Sequence, residues 1–284
     1  LTETQVFDGA FEGAFHAEQF DWNDGATVRR LAAIGFLDSN WLWLFERTED
    51  SWSPLMLTTI PVTAVGDIKA YSFGGDTQLV ISGRGSSSTP GRFLMMNITE
   101  SMIAGEYAGE SFPFSDGLLA RESVKVATIE SSQTLIALTR APDGIAAMSL
   151  LPEPRIQDDL LRDVPSFDLL AFKPLEGRLL DLAYEPTEEL VAVSSYGDNR
   201  LWVGTFENGA FRSIWEWNFF THDGYSEQQG PFGITWLKRG DALYLVATHF
   251  ETHALSVFDF TNWKDRSIDI KRVLKLVSSR LSGK

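Results

Sequence analysis

The sequence predicts an all-β chain of repeated four-stranded antiparallel sheets, and three observations carry that prediction. The clearest unit, Gly177 to Phe219, reads GRLLDLAYEP, TEELVAVSSYGDNR, LWVGTFENG and AFRSIWEWNF. Each piece is a run of β-branched, aromatic and aliphatic residues bounded by Gly, Pro, Asn or Asp turn chemistry. The same order returns in GPFGITWLKR, GDALYLVATHF, ETHALSVFDF and SIDIKRVLKL. The expected innermost strands start near Arg30, Lys69, Val124, Leu179 and Gly233, at steps of about 39 and then about 55 residues, a blade-like period with insertions. One such sheet cannot bury both of its faces alone; stacking the sheets around an axis buries them. The expected fold is therefore a β-propeller of four-stranded antiparallel blades. Five blades fit the length, with part of a six- or seven-bladed ring as the alternative.

The elements follow in chain order. Gly13-Ala14-Phe15 returns as Gly209-Ala210-Phe211 and Trp22-Asn23 as Trp217-Asn218, so residues 13–23 read as an outermost strand. The first unit, VRRLAAIGFL, SNWLWLFERT and WSPLMLTTI, has a poor fourth strand. The second runs DIKAYSFGG, DTQLVISGRG, GRFLMMNI and MIAGEYAG, and the third SVKVATIE, SQTLIALTRA, GIAAMSLL and SFDLLAF. Between the last two pieces, Arg155 to Val164 reads as a short helix, because Ile156, Leu160 and Leu161 share a face. Residues 1–263 form one expected propeller domain, with 1–26 a ring-closing strand or a partial blade. The N-terminal strand would then pair beside Ala254–Phe260; alternatively Ser267–Leu276 is that outer strand. Residues 264–284 form a basic segment in which Ile270, Val273, Leu274, Val277 and Leu281 fall at helical spacing.

Composition excludes several classes. Of 284 residues, 44% are hydrophobic and 12% aromatic, enough for a sizeable core. The net charge of −15 argues against general nucleic-acid binding, which needs a basic surface. That sum hides a polarity: residues 264–284 carry seven bases and two acids, leaving −20 on the first 263 residues. No apolar run approaches the roughly 18 residues of a membrane helix. The absence of cysteine removes thiolate chemistry and tilts the expected location towards an exported one, periplasmic or extracellular. A leader removed ahead of Leu1 would fit.

Val257-Phe258-Asp259 stands where WD repeats carry their Trp-Asp ending, and Asp181-Leu182-Ala183-Tyr184 with Pro186 resembles their inner strand and turn. The chain thus resembles a degenerate member of the WD-repeat-like propeller superfamily, lacking the Gly-His pair and the Asp-His-Ser/Thr-Trp network. The resemblance implies a scaffold used mostly for protein binding, with hydrolases, lyases and lectins as minorities. Fold alone does not choose among them.

In such a fold the loops joining second to third strands share one face with those joining blades. His222, Asp223 and Tyr225 lie in a blade-joining loop, and Phe232 follows it. With Trp22 these give the candidate binding set Trp22, His222, Tyr225 and Phe232, since Trp and Tyr dominate binding hot spots. Trp41, Trp52 and Trp263 are further candidate anchors. No resident cofactor is expected, but His249, Glu251 and His253 would point one way along an extended strand and would suit a divalent metal. The competing view is a polar turn facing water.

Some five-bladed propellers that resemble this layout are glycoside hydrolases, which need carboxylates facing one pocket. Asp67, Asp181 and Asp223 are the candidates here, with Glu122 and Asp24 nearby, but the Asn-Asp-Pro and Arg-Asp-Pro motifs of such enzymes are missing. Inner-strand aspartates also bind neighbouring backbone amides. Neither a Gly-x-Ser-x-Gly elbow nor a P-loop occurs. Two functions remain open. One is a non-catalytic propeller that binds a protein partner or packs as an assembly subunit. The other is a glycoside- or ester-processing hydrolase with acids around a central channel. The basic tail could in addition dock on an anionic surface.

Overall fold

The computed structural model describes the chain from 14 to 275, except 24, 37–38, 50, 61–63, 74–75, 84–90, 99–108, 114–121, 158–159, 166–167, 208, 222–229, 251, 253 and 266–268. The described strands form five four-stranded antiparallel sheets and one hairpin. The first sheet runs β1 (Ala14–Asn23), β2 (Val28–Phe36), β3 (Trp41–Arg47) and β4 (Trp52–Thr59). The second runs β5 (Val65–Phe73), β6 (Asp76–Gly83), β7 (Arg92–Asn97) and β8 (Gly109–Pro113). The third orders β9 (Glu122–Ile129), β10 (Thr134–Arg140) and β11 (Gly144–Ser149). Its fourth strand, β14 (Leu169–Pro174), follows the hairpin of β12 (Pro152–Gln157) and β13 (Leu160–Pro165). The fourth sheet is β15 (Leu179–Glu185), β16 (Leu190–Ser195), β17 (Arg200–Glu207) and β18 (Ala210–Asn218). The fifth is β19 (Pro231–Arg239), β20 (Ala242–His249), β21 (Ala254–Asp259) and β22 (Asp269–Lys275). These are the blades of a β-propeller.

Some middle strands are buried on both faces: every residue of β11 and β16 is buried, although β16 ends in Ser194-Ser195. Such strands read as continuous small or apolar runs instead of alternating ones. Outer strands are more open, as in β18, where Phe211 and Trp217 are buried and most of the rest are exposed.

The chain divides into two compact units, Leu1–Pro142 with Ala146–Leu170, and Asp143–Ile145 with Ala171–Lys284. Within the first, Phe20, Trp22, Leu31, Leu42, Leu44, Ile68 and Leu79 belong to one apolar cluster. Within the second, Leu190, Leu201, Trp217, Phe219, Leu245, Phe258 and Phe260 form another. Burying each such side chain contributes about 1.5–3 kcal/mol. Among the described residues no helix is long and apolar enough to cross a membrane.

Three local expectations need correction. Residues 14–23 are the leading strand of the first sheet, paired with β2, and Arg30 belongs to the second strand. The likeness to residues 209–218 compared two strands at opposite edges of their sheets. The region Arg155 to Val164 is a hairpin with Ile156 opposite Leu161. Its three apolar residues satisfy a helical face and a cross-strand pair equally, and Gln157 pairs with Leu160 across a two-residue connection. Of the segment MIAGEYAG, expected to supply the fourth strand of the second sheet, only Gly109 is described, and it opens β8. Lastly, Ile270, Val273 and Leu274 lie in β22, whose partner is β21, so the helical stripe does not form there. Here long-range pairing overrides local periodicity.

Candidate functional site

All five leading strands share one device. Each carries one extra residue near its start relative to its partner: between Ala14 and His16, between Val65 and Asp67, between Ser123 and Lys125, between Leu179 and Asp181, and between Pro231 and Ile234. Such bulges re-aim the side chain beside them. In the first, second and fourth sheets the side chain just past the bulge is His16, Asp67 and Asp181, so both described candidate acids occupy one repeat position.

Both acids hold the next leading strand. In the first unit, Val126 N donates to Asp67 Oδ2 at 2.9 Å. In the second, Ile234 N donates to Asp181 Oδ2 at 2.8 Å, and Leu182 N donates to Asp181 Oδ1 at 3.0 Å. Asp67 is fully buried and also bonded: His16 Nδ1 lies 2.9 Å from its Oδ1 and Lys125 Nζ lies 3.9 Å away. A carboxylate only accepts, so the His16 Nδ1 position carries the proton. Burial pushes the Asp67 carboxyl upwards, but the His16 hydrogen bond and the charges of Lys125, His16 and Lys69 outweigh it and hold the group below the ordinary carboxylate range. Lys69 is itself paired with Glu18 at 3.0 Å. This chemistry favours a permanently ionised strand tie and disfavours a general acid, which needs a raised value.

The second unit presents a different surface at the end where β16, β18 and β20 finish. Asn199 occupies the left-handed region at φ 51°, a conformation Asn tolerates better than most residues. Its carbonyl accepts from Phe219 N, and its side-chain oxygen accepts from Gly230 N. Gly230 in turn accepts from Phe250 N. Three chain segments are thereby fixed together, and each delivers an exposed ring: Phe220 is 54% exposed, Phe232 50% and Phe250 65%. Phe232 and Phe250 lie against each other with centroids 5.8 Å apart. Ser194 Oγ donates to the Phe232 carbonyl, fixing that strand end from below.

The other sequence candidates distribute as follows. Trp22 is no loop anchor: it sits in β1, is buried, and has the Arg29 guanidinium 5.5 Å from its ring centroid. Trp41 is exposed, whereas Trp52 and Trp263 are half-buried. His249 is buried, bonded through Nε2 to Ser256 Oγ at 2.8 Å and packed edge-on against Phe219. His222, Asp223, Tyr225, Glu251 and His253 lie outside the described residues, as does Asp24. Among the described residues no three His, Asp or Glu side chains gather in a metal-binding group. The sequence reading missed Asn199 and Phe250. Their signals were present, an Asp-Asn turn after Gly197 and an aromatic at the end of a strand.

No family model matches the chain, and neither does any curated protein. Solved structures do. A functionally unknown protein from Desulfotomaculum acetoxidans DSM 771 aligns with TM-score 0.57 at 10% identity over 86% of this chain, which spans 66% of that one, just under two thirds. The β-propeller domain of Myceliophteria thermophila Cps50 (Swd1) aligns with TM-score 0.57 at 9% identity, covering 86% of this chain and 70% of that domain. A luciferin-regenerating enzyme aligns with TM-score 0.51 at 9% identity, covering 94% and 78%. At these identities the likenesses show the fold alone.

Proposed function

We propose that the chain is a non-catalytic β-propeller that binds a protein partner through the strand-end face carrying Phe232 and Phe250. The observation that carries this reading is that pair of rings, in mutual contact on hydrogen-bonded backbone and half or more exposed. Rigid aromatic groups give large contact area at small entropic cost, the character of interface hot spots. The WD-repeat resemblance agrees, and so does the use of Asp67 and Asp181 as strand ties. An assembly subunit would use the same face.

The test is affinity isolation from the native source with the wild-type chain and with a Phe232→Ser/Phe250→Ser variant. A partner recovered by the first and lost by the second supports the proposal. Equal recovery contradicts it.

The hydrolase reading keeps one specific observation, the His16–Asp67 pair beside Lys125, and an enzyme stands among the structural neighbours. It predicts turnover of glycosides, lactones or esters that Asp67→Asn abolishes in a chain that remains folded. Turnover that survives Asp67→Asn, or none at all, removes it.

A further inference from the structure

A second surface of the second unit, away from the strand-end face in chain position, has the makings of a small-ligand site. An open cleft of about 520 Å³ lies between β17–β18 and the 3-10 turn Trp263–Asp265. Small-ligand sites span roughly 300–1,000 Å³. Its walls include Thr205, Glu207, Arg212, Trp215, Trp263 and Lys264.

The cleft exists because β18 carries an extra residue. Val203 pairs with Trp215 and Gly204 with Ser213, so Ile214 is bulged. Gly204 permits this approach, since a Cβ there would stand 2.4 Å from the Arg212 carbonyl oxygen and 2.5 Å from the Phe211 ring. The bulge places Arg212, Ser213, Ile214 and Trp215 on the cleft wall together, and it interrupts the edge ladder that an added peptide strand would need.

Both indoles are held rigidly. Trp215 packs edge-on against Phe258 and Phe260 at 5.1 and 5.2 Å, and Trp263 Nε1 donates to Glu188 at 3.3 Å. The charges are matched internally: Arg212 pairs with Glu207 at 3.1 Å and Lys264 with Glu188 at 2.8 Å. An ionic ligand would have to break a pair to gain one. Exposed polar groups on the walls include the Glu207 carboxylate and the Arg212 guanidinium, which between them can accept from and donate to a neutral hydroxyl.

We infer that this cleft binds a neutral saccharide. Ring C–H faces would lie on the indoles, and sugar hydroxyls would bond Glu207 and Arg212. None of its lining residues belongs to the strand-end face.

The test is calorimetric titration and tryptophan fluorescence of the full chain with cellohexaose, laminarihexaose and mannohexaose, with inorganic phosphate as the anionic arm. At least one hexasaccharide is expected to bind with Kd of about 1 mM or tighter, and Arg212→Ala and Trp263→Ala each to weaken it about tenfold or more. Arg212 is exposed, so its variant keeps the test valid where Trp263→Ala fails to fold. Phe232→Ser should leave saccharide binding unchanged, which separates this site from the protein-binding face. The inference is overturned if no hexasaccharide binds at about 10 mM, if Arg212→Ala binds as wild type, or if phosphate binds and the sugars do not.

Discussion

Asp67 shows how one side chain can resemble chemistry and serve architecture. Its two oxygens accept from Val126 N and His16 Nδ1 within the first unit, and Asp181 repeats the backbone tie in the second. Removing one partner of a buried ionic group leaves the others unmatched. Asp67→Ala should therefore cost about 3 kcal/mol or more of unfolding free energy in urea titrations, and Asp181→Ala, which loses the bonds from Leu182 N and Ile234 N, about 1–2 kcal/mol. If Asp67→Ala is as stable as wild type, the carboxylate does not hold the strands. Asn199 poses a matching test within the second unit. Asn199→Ala loses the Gly230 bond and a residue suited to φ 51°, and should cost about 1–3 kcal/mol by the same measurement. That these aspartates start inner strands was legible in the sequence, and so was their alternative role as backbone ties. Which amides they would meet was not, because those lie 59 and 53 residues away.

At the scale of elements, repeat chemistry was the strongest signal in the sequence. Strand–turn–strand runs such as TEELVAVSSYGDNR became β16 and its turns because local propensity and long-range pairing agree. They disagreed in RIQDDLLRDV and in the C-terminal stripe, where helical spacing yielded to cross-strand partners. The leading position of β1 was hidden for a related reason: strand order within a sheet depends on neighbours that periodicity does not encode. Close backbone approach is an element-scale property that can be tested. Gly204→Ala should crowd the Arg212 carbonyl and the Phe211 ring where β17 meets the β18 bulge. The expected loss is about 1–3 kcal/mol, read as a lowered urea midpoint with an unchanged m-value. An unchanged midpoint would mean that β18 shifts freely, and the bulge would then impose nothing on the cleft.

For the whole molecule, acidity and aromatic content have separate meanings. The charge of −15 includes a buried, bonded Asp67, and many of the 35 aromatics serve packing, as Phe258 and Phe260 do. The pH response follows from the sign of the Asp67 shift. Its folded-state value lies below the unfolded one, near 3.9, so its stabilisation is complete above about pH 4 and is lost as pH falls through the folded value. The thermal midpoint should hold between about pH 8 and 5 and fall below about 4, less steeply in Asp67→Asn; equal slopes in both chains would refute this origin. The proposed protein-binding role depends on the one feature that sequence patterning conveyed least: which aromatics remain outside. Trp22 went inside, whereas Phe250 stayed out because the turn after β20 turns it away from the core. The most direct measurement is therefore the affinity of the isolated partner for wild-type chain and for the Phe232→Ser/Phe250→Ser variant, with Asp67→Asn alongside. The expected result is a loss of about a hundredfold or more in the double variant and of less than about threefold in Asp67→Asn. Equal binding by the double variant, or loss confined to Asp67→Asn, would contradict it.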